Sequence, residues 1–275
     1  MGELDIVSWN IGGIAAYLDE GRHEPLQDVV ASLGRPDVLC LQEVHLRPLD
    51  AAALDVLDGY RVASSLNRDP KNGAFRGGRS YGVATYVRDE LFGGGRTFAW
   101  DLEGRVLVTE VAGTTIANVY AVNGTSRPHF DHDTGTVRGD RHAWKRRFIH
   151  LLAVEFGAER GNLVAIGDWN VSREAIDTTP RLRTEEPHAG ARRSFDETFV
   201  RGLDLVDAFR ERHPDFRRYT WFNVRAERWG RLDAARVDYA LVARALMPRV
   251  VDAEVLAERF GSDHAPIRLR VGAGT

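Results

Sequence analysis

Four short apolar runs in this chain each end in side chains that carry acid, amide or imidazole groups. The endings are Trp9-Asn10, Gln42-Glu43, Asp168-Trp169-Asn170 and Asp263-His264. A strand that ends in a polar side chain delivers that side chain to one edge of its sheet. Carboxylate and amide oxygens suit a hard divalent cation, whereas aspartate and histidine can move protons. The four endings together predict a Mg²⁺ or Mn²⁺ site beside a general base, and therefore phosphoester hydrolysis.

The chemistry of each ending predicts a role for its side chain. Glu43 follows an apolar run, where a carboxylate is costly unless it is paired or ligates a cation. We interpret it as a metal ligand, with a salt-bridged structural acid as the alternative. Asn10 offers an amide to the same cation or to a phosphate oxygen, unless it is a turn residue. Asp168 and Asn170 lie two residues apart, so that both can point the same way, Asp168 towards a water and Asn170 towards a phosphate oxygen.

The last ending places a hard ligand, Asp263, next to an imidazole. His264 could polarise a phosphoryl group or accept a proton. Asp238 stands just before an apolar strand and could orient His264 through a hydrogen bond. The alternative for Asp238 is a structural ion pair with Arg236, two residues before it.

Two further polar segments allow more than one interpretation. Tyr120 and Asn123 end another strand-like run, where a phenol could contact the reacting phosphate or simply lie in the core. A later segment contains a group of histidines and aspartates, namely His129, Asp131, His132 and Asp133. Because their spacing does not match a tetrahedral zinc site, we interpret this group as part of a solvated loop.

Composition limits the classes of protein that fit. The chain has 275 residues, 43% hydrophobic content and a net charge of −3. It contains no apolar stretch long enough to span a bilayer and no signal-like N-terminus, so we expect a cytoplasmic protein without a membrane partner. Its one cysteine, Cys40, lies in an apolar run and is expected to be buried. Arginines interleave with aromatic residues in the segment 217–236, which suits a nucleic-acid backbone but also a solvated face over a core cluster.

The elements that must position these residues alternate between strands and helices. Residues 4–9, a helix near Pro25–Leu33 and residues 38–42 predict a β-α-β start. Antiparallel strands follow in Tyr81–Val87, Arg105–Val111 and Thr115–Val122, and then a helix over His142–Phe156. Later predicted strands are Leu163–Ile166, Arg236–Val242 and Ile267–Val271. A helical stretch is predicted over Ser194–Arg212. It begins with a capping box of Ser194 and Glu197 and breaks near Gly202. This order favours an α/β fold of two packed sheets with helices outside, formed by residues 1–275 as one domain.

The motifs resemble those of the exonuclease III / apurinic-apyrimidinic (AP) endonuclease family, within the endonuclease/exonuclease/phosphatase superfamily. They run in order along nearly the whole chain: Ser8-Trp9-Asn10, Leu41-Gln42-Glu43, Tyr81–Ala84, Tyr120 with Asn123, Gly167–Val171, Ile176-Asp177, Ser194-Phe195-Asp196, Leu205–Arg210, Tyr219-Thr220-Trp221, Arg236–Tyr239 and Ser262–Pro266. The strand endings alone would also fit lipid or nucleotide phosphatases. The stretch from Asp177 to Trp221 is similar specifically to the DNA-repair branch.

The resemblance implies a DNase I-like, four-layer α/β sandwich with two mixed β-sheets flanked by helices. It implies a Mg²⁺-dependent enzyme, with Mn²⁺ as a substitute, that cuts double-stranded DNA 5′ of abasic sites and processes blocked 3′ ends as a monomer near the nucleoid. The ligands of the ion would be Glu43, Asp263 and Asn10. The catalytic set would be Asp168, Asn170, His264, Asp238 and Tyr120. The substrate-binding residues would be Asn123, Trp221, Arg141 and Arg236, with Trp221 in the wall of a pocket for the abasic sugar.

The chain departs from the family pattern at three places. Gly12 stands where an acid or amide is common near the metal, and Ala235 stands where a bulky apolar residue is common. Ala235 would leave the pocket wall open unless Trp229 fills it. The segment 124–140 is long, rich in histidine and aspartate, and leads into Arg141–Arg147, which we expect on the DNA-facing side. The alternatives to a DNA-repair nuclease are a related phosphodiesterase acting on RNA, nucleotides or lipid headgroups, and a non-catalytic DNA-binding relative.

Overall fold

Two six-stranded sheets pack face to face in the computed structural model, which describes residues 2–18, 22–73, 75–158 and 161–272. With strands numbered in chain order, the first sheet contains β1 (Leu4–Asn10), β2 (Val38–Gln42), β3 (Tyr60–Ser65), β4 (Val83–Arg88), β15 (Val250–Val255) and β16 (Ile267–Val271), in the order β15-β16-β1-β2-β4-β3. The second contains β5 (Phe92–Arg96), β6 (Val106–Val111), β7 (Thr114–Tyr120), β10 (Leu163–Asp168), β11 (Leu205–Asp207) and β14 (Asp238–Ala243), in the order β11-β14-β10-β7-β6-β5. Both sheets are mixed, because β1 with β2 and β10 with β7 are parallel pairs among antiparallel ones.

Alternating residues of the central strands face two different layers. Ile6 and Cys40 belong to the core shared with the second sheet, whereas Val7 and Leu39 belong to the core beneath a helix on the other side. This follows from the two-residue side-chain repeat of a strand. A strand covered on both faces is apolar throughout, as β2 is before Gln42. The burial of Cys40 confirms its predicted place in the core.

Helices cover the outer face of each sheet. The α-helices are α1 (Ala15–Leu18), α2 (Leu26–Ser32), α3 (Arg141–Glu155), α4 (His188–Arg193), α5 (Ala208–Arg212) and α6 (Val224–Glu227). On the first sheet, α2 buries Leu26, Val29 and Val30. On the second, α3 buries Phe148 and Leu152. The four layers of helix, sheet, sheet and helix confirm the predicted sandwich.

The stretch Ser194–Arg212 differs from the single broken helix that its sequence predicts. Residues Ser194–Val200 form a π-helix that continues directly from α4, so Ser194 is not an N-cap and the predicted capping box is wrong. After Gly202 the chain forms β11, which pairs with β14. The apolar residues of β11 gain more from joining the sheet edge than from prolonging a helix, and tertiary pairing therefore overrides the local helical pattern.

A polar contact joins the two sheets within their shared core. The side chain of Asn118 in β7 donates to the backbone carbonyls of Leu41 and Ala84 and to the hydroxyl of Thr85, all in the first sheet. In the opposite direction, Gln42 Nε2 donates a hydrogen bond to Asn118 Oδ1 at 2.8 Å. Buried amides of this kind have strict partner requirements, so they fix how one sheet lies on the other.

The segment 124–140 forms a hairpin of β8 (Pro128–Asp131) and β9 (Thr136–Asp140) rather than an open loop. A second short hairpin pairs β12 (Trp221–Phe222) with β13 (Ala234–Ala235). Short 3-10 turns complete the chain at Pro48–Leu54, Phe75–Gly78, Asp89–Leu91, Phe156–Ala158, Ala175–Asp177 and Arg244–Arg249. Within the described ranges, no helix has the length and apolar character needed to cross a bilayer.

Candidate active site

The predicted strand endings meet at one edge of the sandwich, where the two sheets adjoin. The amide nitrogen of Asn10 lies 3.1 Å from Glu43 Oε1 and 3.0 Å from Asp168 Oδ2. Glu43 and Asp168 come from different sheets, so this amide joins the site across the sheet interface. On the second sheet, Asp168 stands opposite Asp238 in the antiparallel register of β10 and β14. The sequence prediction that these endings converge is confirmed.

Two of the converging residues occupy unusual backbone conformations. Glu43 has φ +54° and Asn170 has φ +52°, both in the left-handed region that non-glycine residues rarely adopt. Strain of this kind persists only where the surrounding structure imposes it, and it is common at functional sites. Gly167, just before Asp168, has φ +143°, and a Cβ there would lie 2.0 Å from the carbonyl oxygen of Val119. Only glycine therefore lets β10 approach β7 closely enough to place Asp168.

His264 is held by Asp238 in the arrangement that the sequence predicts. Its Nδ1 lies 2.9 Å from Asp238 Oδ2, and its Nε2 lies 4.0 Å from Asp168 Oδ2. Burial alone would lower the pKa of His264, but the charge and hydrogen bond of Asp238 and the charge of Asp168 raise it to about 10. The ring is therefore an imidazolium at neutral pH. It can donate a hydrogen bond to a phosphate oxygen, but it does not act as the base.

Asp168 has the environment of a general base. Burial is the largest influence and the negative charge of Asp238 adds to it; together they raise the pKa of Asp168 to about 7, although His264 opposes them. A base whose pKa lies near the working pH combines a usable ionised fraction with proton affinity. The backbone N–H of Asn170 donates to Asp168 Oδ1 at 2.8 Å and fixes the carboxylate in place.

Glu43 is held in its ionised form by three neighbours. Tyr120 donates its hydroxyl to Glu43 Oε1 at 2.7 Å, and His45 Nε2 lies 3.1 Å from Oε2. Burial would raise the pKa of Glu43, but the hydrogen bonds of His45, Asn10 and Tyr120 and the charge of His45 outweigh it and lower the pKa to about 2. Sequence reasoning missed His45, whose only signal is its place two residues after Glu43. Tyr120 therefore contacts the site through its hydrogen bond to Glu43, the candidate metal ligand.

The residues present fit a hard divalent cation. Carboxylate oxygens are the ligands that a hard cation prefers, and Glu43 and Asp168, which both accept from the Asn10 amide, are close enough for their negative charges to repel. A divalent cation bound there would offset that repulsion. Asn10 presents its amide nitrogen to the two carboxylates, while its Oδ1 accepts from the backbone of Gly12 at 3.1 Å. Ligation through Asn10 would thus require the amide to turn over, and Gly12 offers no side-chain ligand.

Asp168, Asp238 and His264 also place one ligand atom each within 4.8 Å of one another. Within the described chain this is the group of acids and histidines compact enough to hold a metal ion. The hydrogen bond between His264 and Asp238 already accounts for its geometry. This arrangement suits proton transfer and phosphate contact, and the carboxylates of Glu43 and Asp263, which line the same cavity, could hold a cation.

A cavity of about 540 Å³ opens beside the converging residues. Asp263 and Trp221 share its wall, joined by a hydrogen bond from Trp221 Nε1 to Asp263 Oδ2 at 3.1 Å. Asn123, exposed, and Ala235, small and buried, also line it. Trp229 is 75% exposed and does not fill the space beside Ala235, so the wall stays open there. Trp221 and Asn123 therefore line the same cavity as Asp168, Asn170 and His264.

The structure contradicts the prediction that Arg141 and Arg236 bind the substrate, because both side chains are buried in ion pairs. Arg141 donates two hydrogen bonds of 2.8 Å to Glu103. Arg236 is 1% exposed and binds Asp177 through Nε and Asp207 through both terminal nitrogens. A buried guanidinium whose charge is neutralised by buried carboxylates is not available to contact DNA. The predicted alternative pairing of Arg236 with Asp238 is wrong as well.

The histidine- and aspartate-rich hairpin is another correction. His129 is buried and stacks on Trp144 with ring centroids 4.9 Å apart, rather than lying in solvent. His132 Nε2 lies 3.1 Å from Asp69 Oδ1. The hairpin is thus a packed element with a buried histidine, which differs from the solvated loop that the sequence predicts.

Lys145 is a second functional candidate, after His45, that sequence reasoning did not single out. It lies on α3, is 6% exposed, lines the cavity and donates from Nζ to the carbonyl oxygen of Asn170 at 2.6 Å. Its sequence neighbours are other basic residues, so nothing local distinguishes it from a solvated lysine. Only the fold shows that this lysine turns towards Asn170.

Comparison with known proteins gives consistent matches over almost the full chain. The model of the Endonuclease/Exonuclease/phosphatase family matches residues 7–264. An exodeoxyribonuclease of Bacillus subtilis is 27% identical, covering 97% of this chain and 98% of its own, and the DNA repair nuclease APEX1 of Danio rerio is 28% identical, covering 97% and 81%. The solved structure of the 3′-5′ exonuclease NExo from Neisseria meningitidis superposes with a TM-score of 0.74 at 25% identity, covering 98% of this chain and 99% of that one. The 3′ phosphatase NExo from Neisseria, solved with a product DNA hairpin, gives the same TM-score at 24% identity.

Proposed function

Since the chain belongs to the Endonuclease/Exonuclease/phosphatase family, we propose that it is a DNA-repair nuclease that requires a divalent cation, Mg²⁺ with Mn²⁺ as a substitute. Its main reaction would be hydrolysis of the phosphodiester 5′ of an abasic site in double-stranded DNA, with removal of blocking groups and nucleotides from 3′ ends. The observation that carries this proposal is the Asp238–His264–Asp168 group beside Glu43 in one cavity.

The relatives support DNA as the substrate. Proteins named as an exodeoxyribonuclease and as DNA repair nucleases match this chain over nearly its full length. The cavity volume of about 540 Å³ and the small side chain of Ala235 in its wall suit a nucleotide turned out of the duplex better than a flat backbone contact.

Hydrolysis would proceed by in-line attack of water on phosphorus. Asp168 takes a proton from the water as the new P–O bond forms, and the bond from phosphorus to the 3′ oxygen breaks. The His264 imidazolium and the Asn170 amide stabilise the negative charge that develops on the phosphoryl oxygens. A divalent cation held by Glu43 and Asp263 would supply electrostatic stabilisation to the same phosphate. The products are a 3′-hydroxyl end, which takes up a proton, and a 5′-phosphate on the abasic side.

A substrate panel tests the proposal. The purified protein is assayed with an abasic duplex, a duplex with a 3′-phosphate at a nick, an intact blunt duplex, a matched RNA and a phospholipid headgroup, each with Mg²⁺ and with EDTA. We expect cleavage of the abasic and 3′-blocked duplexes that EDTA abolishes. Preferential turnover of RNA or the headgroup would replace DNA repair with another phosphodiesterase function, and DNA binding without turnover would indicate a non-catalytic relative.

A further inference from the structure

Part of the cavity wall carries basic side chains that the hydrolysis scheme leaves unused. We call this set the basic wall; it consists of His142, Lys145, Arg181, Arg183, His188 and Arg192. Two of its members come from the first turns of α3 and two from α4. The helix α3, the segment 181–183 and the helix α4 thus contribute basic side chains to one side of the same cavity that holds Asp168.

Lys145 is the buried centre of the basic wall. An ammonium group carries three N–H donors, and the carbonyl oxygen of Asn170 accepts one of them. No carboxylate of the described residues lies within ion-pair distance of Lys145. Burial lowers the pKa of Lys145 to about 8, and Asp168 opposes that effect, so the group is still mostly charged at neutral pH. A charge so placed is costly without a counter-charge from the cavity.

Arg181, Arg183 and Arg192 add positive charge to the wall around Lys145, whereas burial lowers the pKa of His142 and favours its neutral form. The positive charge of Arg192 further disfavours the charged form of Lys145. Burial lowers the pKa of His188, and the charges of Arg183 and Lys145 lower it further. His142 packs edge-on against His188 with ring centroids 5.7 Å apart. The positive charges of Lys145 and Arg192 repel each other, and an anion in the cavity would relieve that repulsion and favour protonation of His188.

The position of the wall identifies the anion. Asn170 contacts Asp168 through its side-chain amide, and its backbone carbonyl accepts from Lys145. The basic wall therefore begins one residue away from Asp168, the proposed general base. A bound nucleic-acid strand carries a phosphate on every nucleotide, so a strand with one phosphate at Asp168 brings another within reach. Lysine and arginine are the side chains that bind phosphate.

We propose that the basic wall is a second phosphate-binding subsite, which holds a phosphate of the substrate strand other than the one that is hydrolysed. The assignment of DNA as substrate rests on the proposed function, whereas phosphate binding by the wall does not. Two sources supply the same chemistry: the 5′-terminal phosphate at a nick or gap, and the internal phosphodiester next to the cleaved one.

The first experiment measures phosphate binding without DNA or metal. Inorganic phosphate is titrated by calorimetry into the full-length protein in EDTA, for the wild type and for Lys145→Gln, Arg183→Gln and Arg146→Gln. We expect Lys145→Gln to raise the Kd about tenfold or more, because it removes a charged hydrogen-bond donor. Arg183→Gln, at an exposed position of the wall, should raise it about threefold. Arg146→Gln is the matched control, since Arg146 is exposed on the same helix and does not line the cavity, and it should leave the Kd unchanged.

The second experiment separates the two sources. Nicked duplexes with a 3′-phosphate are prepared with either a 5′-phosphate or a 5′-hydroxyl on the downstream strand, and abasic duplexes with either a natural or a methylphosphonate linkage next to the cleaved one. If the 5′-terminal phosphate occupies the wall, the wild type shows a KM at least about fivefold lower for the 5′-phosphorylated nick, and Lys145→Gln loses that difference. If the internal diester occupies it, the methylphosphonate raises KM for the wild type alone.

Several results would overturn the subsite. Unchanged phosphate affinity in both Lys145→Gln and Arg183→Gln would do so, as would equal loss in Arg146→Gln. A fall in kcat for Lys145→Gln with unchanged KM and unchanged phosphate affinity would show that Lys145 acts only by supporting Asn170. If Lys145→Gln does not fold, Arg183→Gln decides the binding test. Failure of the wild type to cleave any DNA, with phosphate binding intact, would refute the proposed function and leave the subsite standing.

Discussion

Replacing Arg236 by methionine should destabilise the protein strongly while leaving its chemistry intact. The guanidinium holds Asp177 and Asp207, which are almost completely buried. Breaking a buried ion pair by removing one partner costs about 3–5 kcal/mol, because an uncompensated charge remains. Total stabilities are about 5–15 kcal/mol, so this is a large share. At about 2–3 °C per kcal/mol for a chain of this size, Tm should fall by about 6–15 °C.

The direction in which stability changes with pH gives a second test of this prediction. Burial would raise the pKa of Asp207, but the charge and hydrogen bonds of Arg236 and the charge of Arg173 outweigh it and lower the pKa. Wild-type stabilisation from Asp207 is therefore present above the carboxylate's ordinary pKa, and it is lost as the pH falls through the lowered value. Without Arg236 the buried carboxylates gain stability from protonation. The gap in unfolding free energy between wild type and Arg236→Met should thus be larger at pH 7 than at pH 4.5.

The assay is urea denaturation at both pH values, followed by kinetics on abasic DNA well below the Tm of the variant. Arg231→Met is the control, because Arg231 is exposed and near in sequence, and it should melt within about 1 °C of wild type. A variant that melts like wild type but has a KM for DNA raised more than about tenfold would refute the structural role. Such a result would restore Arg236 as a substrate-binding residue.

Three further predictions concern the site itself. Asp168→Asn should lower kcat by at least about 10²-fold and leave the Kd for DNA within about threefold, measured by rapid quench and by anisotropy in Ca²⁺; retained turnover would show that another group activates the water. Glu43→Ala should raise the Mg²⁺ or Mn²⁺ concentration needed for half-maximal rate about tenfold or more, with partial rescue at high metal, whereas a loss that no metal concentration changes would argue against ligation. Asp238→Asn should let the pKa of His264 fall from about 10 and also lower the pKa of Asp168, so the pH–rate optimum should move towards acid and the defect should grow from pH 6 to pH 8.5; a uniform defect at every pH would mean that Asp238 does not control these groups.

The strand endings could be predicted because they depend on local pattern. An apolar run that stops at a polar residue identifies both the strand and its end, so Glu43, Asp168 and Asn170 were identified before the fold was known. They converge because parallel strands end at the same edge of a sheet, and an antiparallel neighbour begins at that edge, as β14 and β16 do. The hydrogen bond from Asp238 to His264 followed from the same logic.

Other residues could not be assigned because their partners are distant in sequence. Arg141 is 38 residues from Glu103 and Arg236 is 29 from Asp207, so their basic side chains gave no sign of burial. The position of Lys145 depends on how α3 packs on the second sheet. The strand β11 (Leu205–Asp207) was hidden within a helical pattern, because pairing with a sheet edge is a tertiary effect.

The polar contact between Asn118 and Gln42 has a consequence for when the protein becomes active. Glu43 belongs to one sheet and Asp168 to the other, so the distance between them is set by how the two layers dock. A slip of about 1 Å can cost about 10²-fold in rate even when every strand persists. If both sheets were formed but not joined by the hydrogen bonds of Asn118 and Gln42, Glu43 and Asp168 would not be held at the separation that the site requires. The candidate site therefore depends on the docking of the two sheets as much as on the strands that carry its residues.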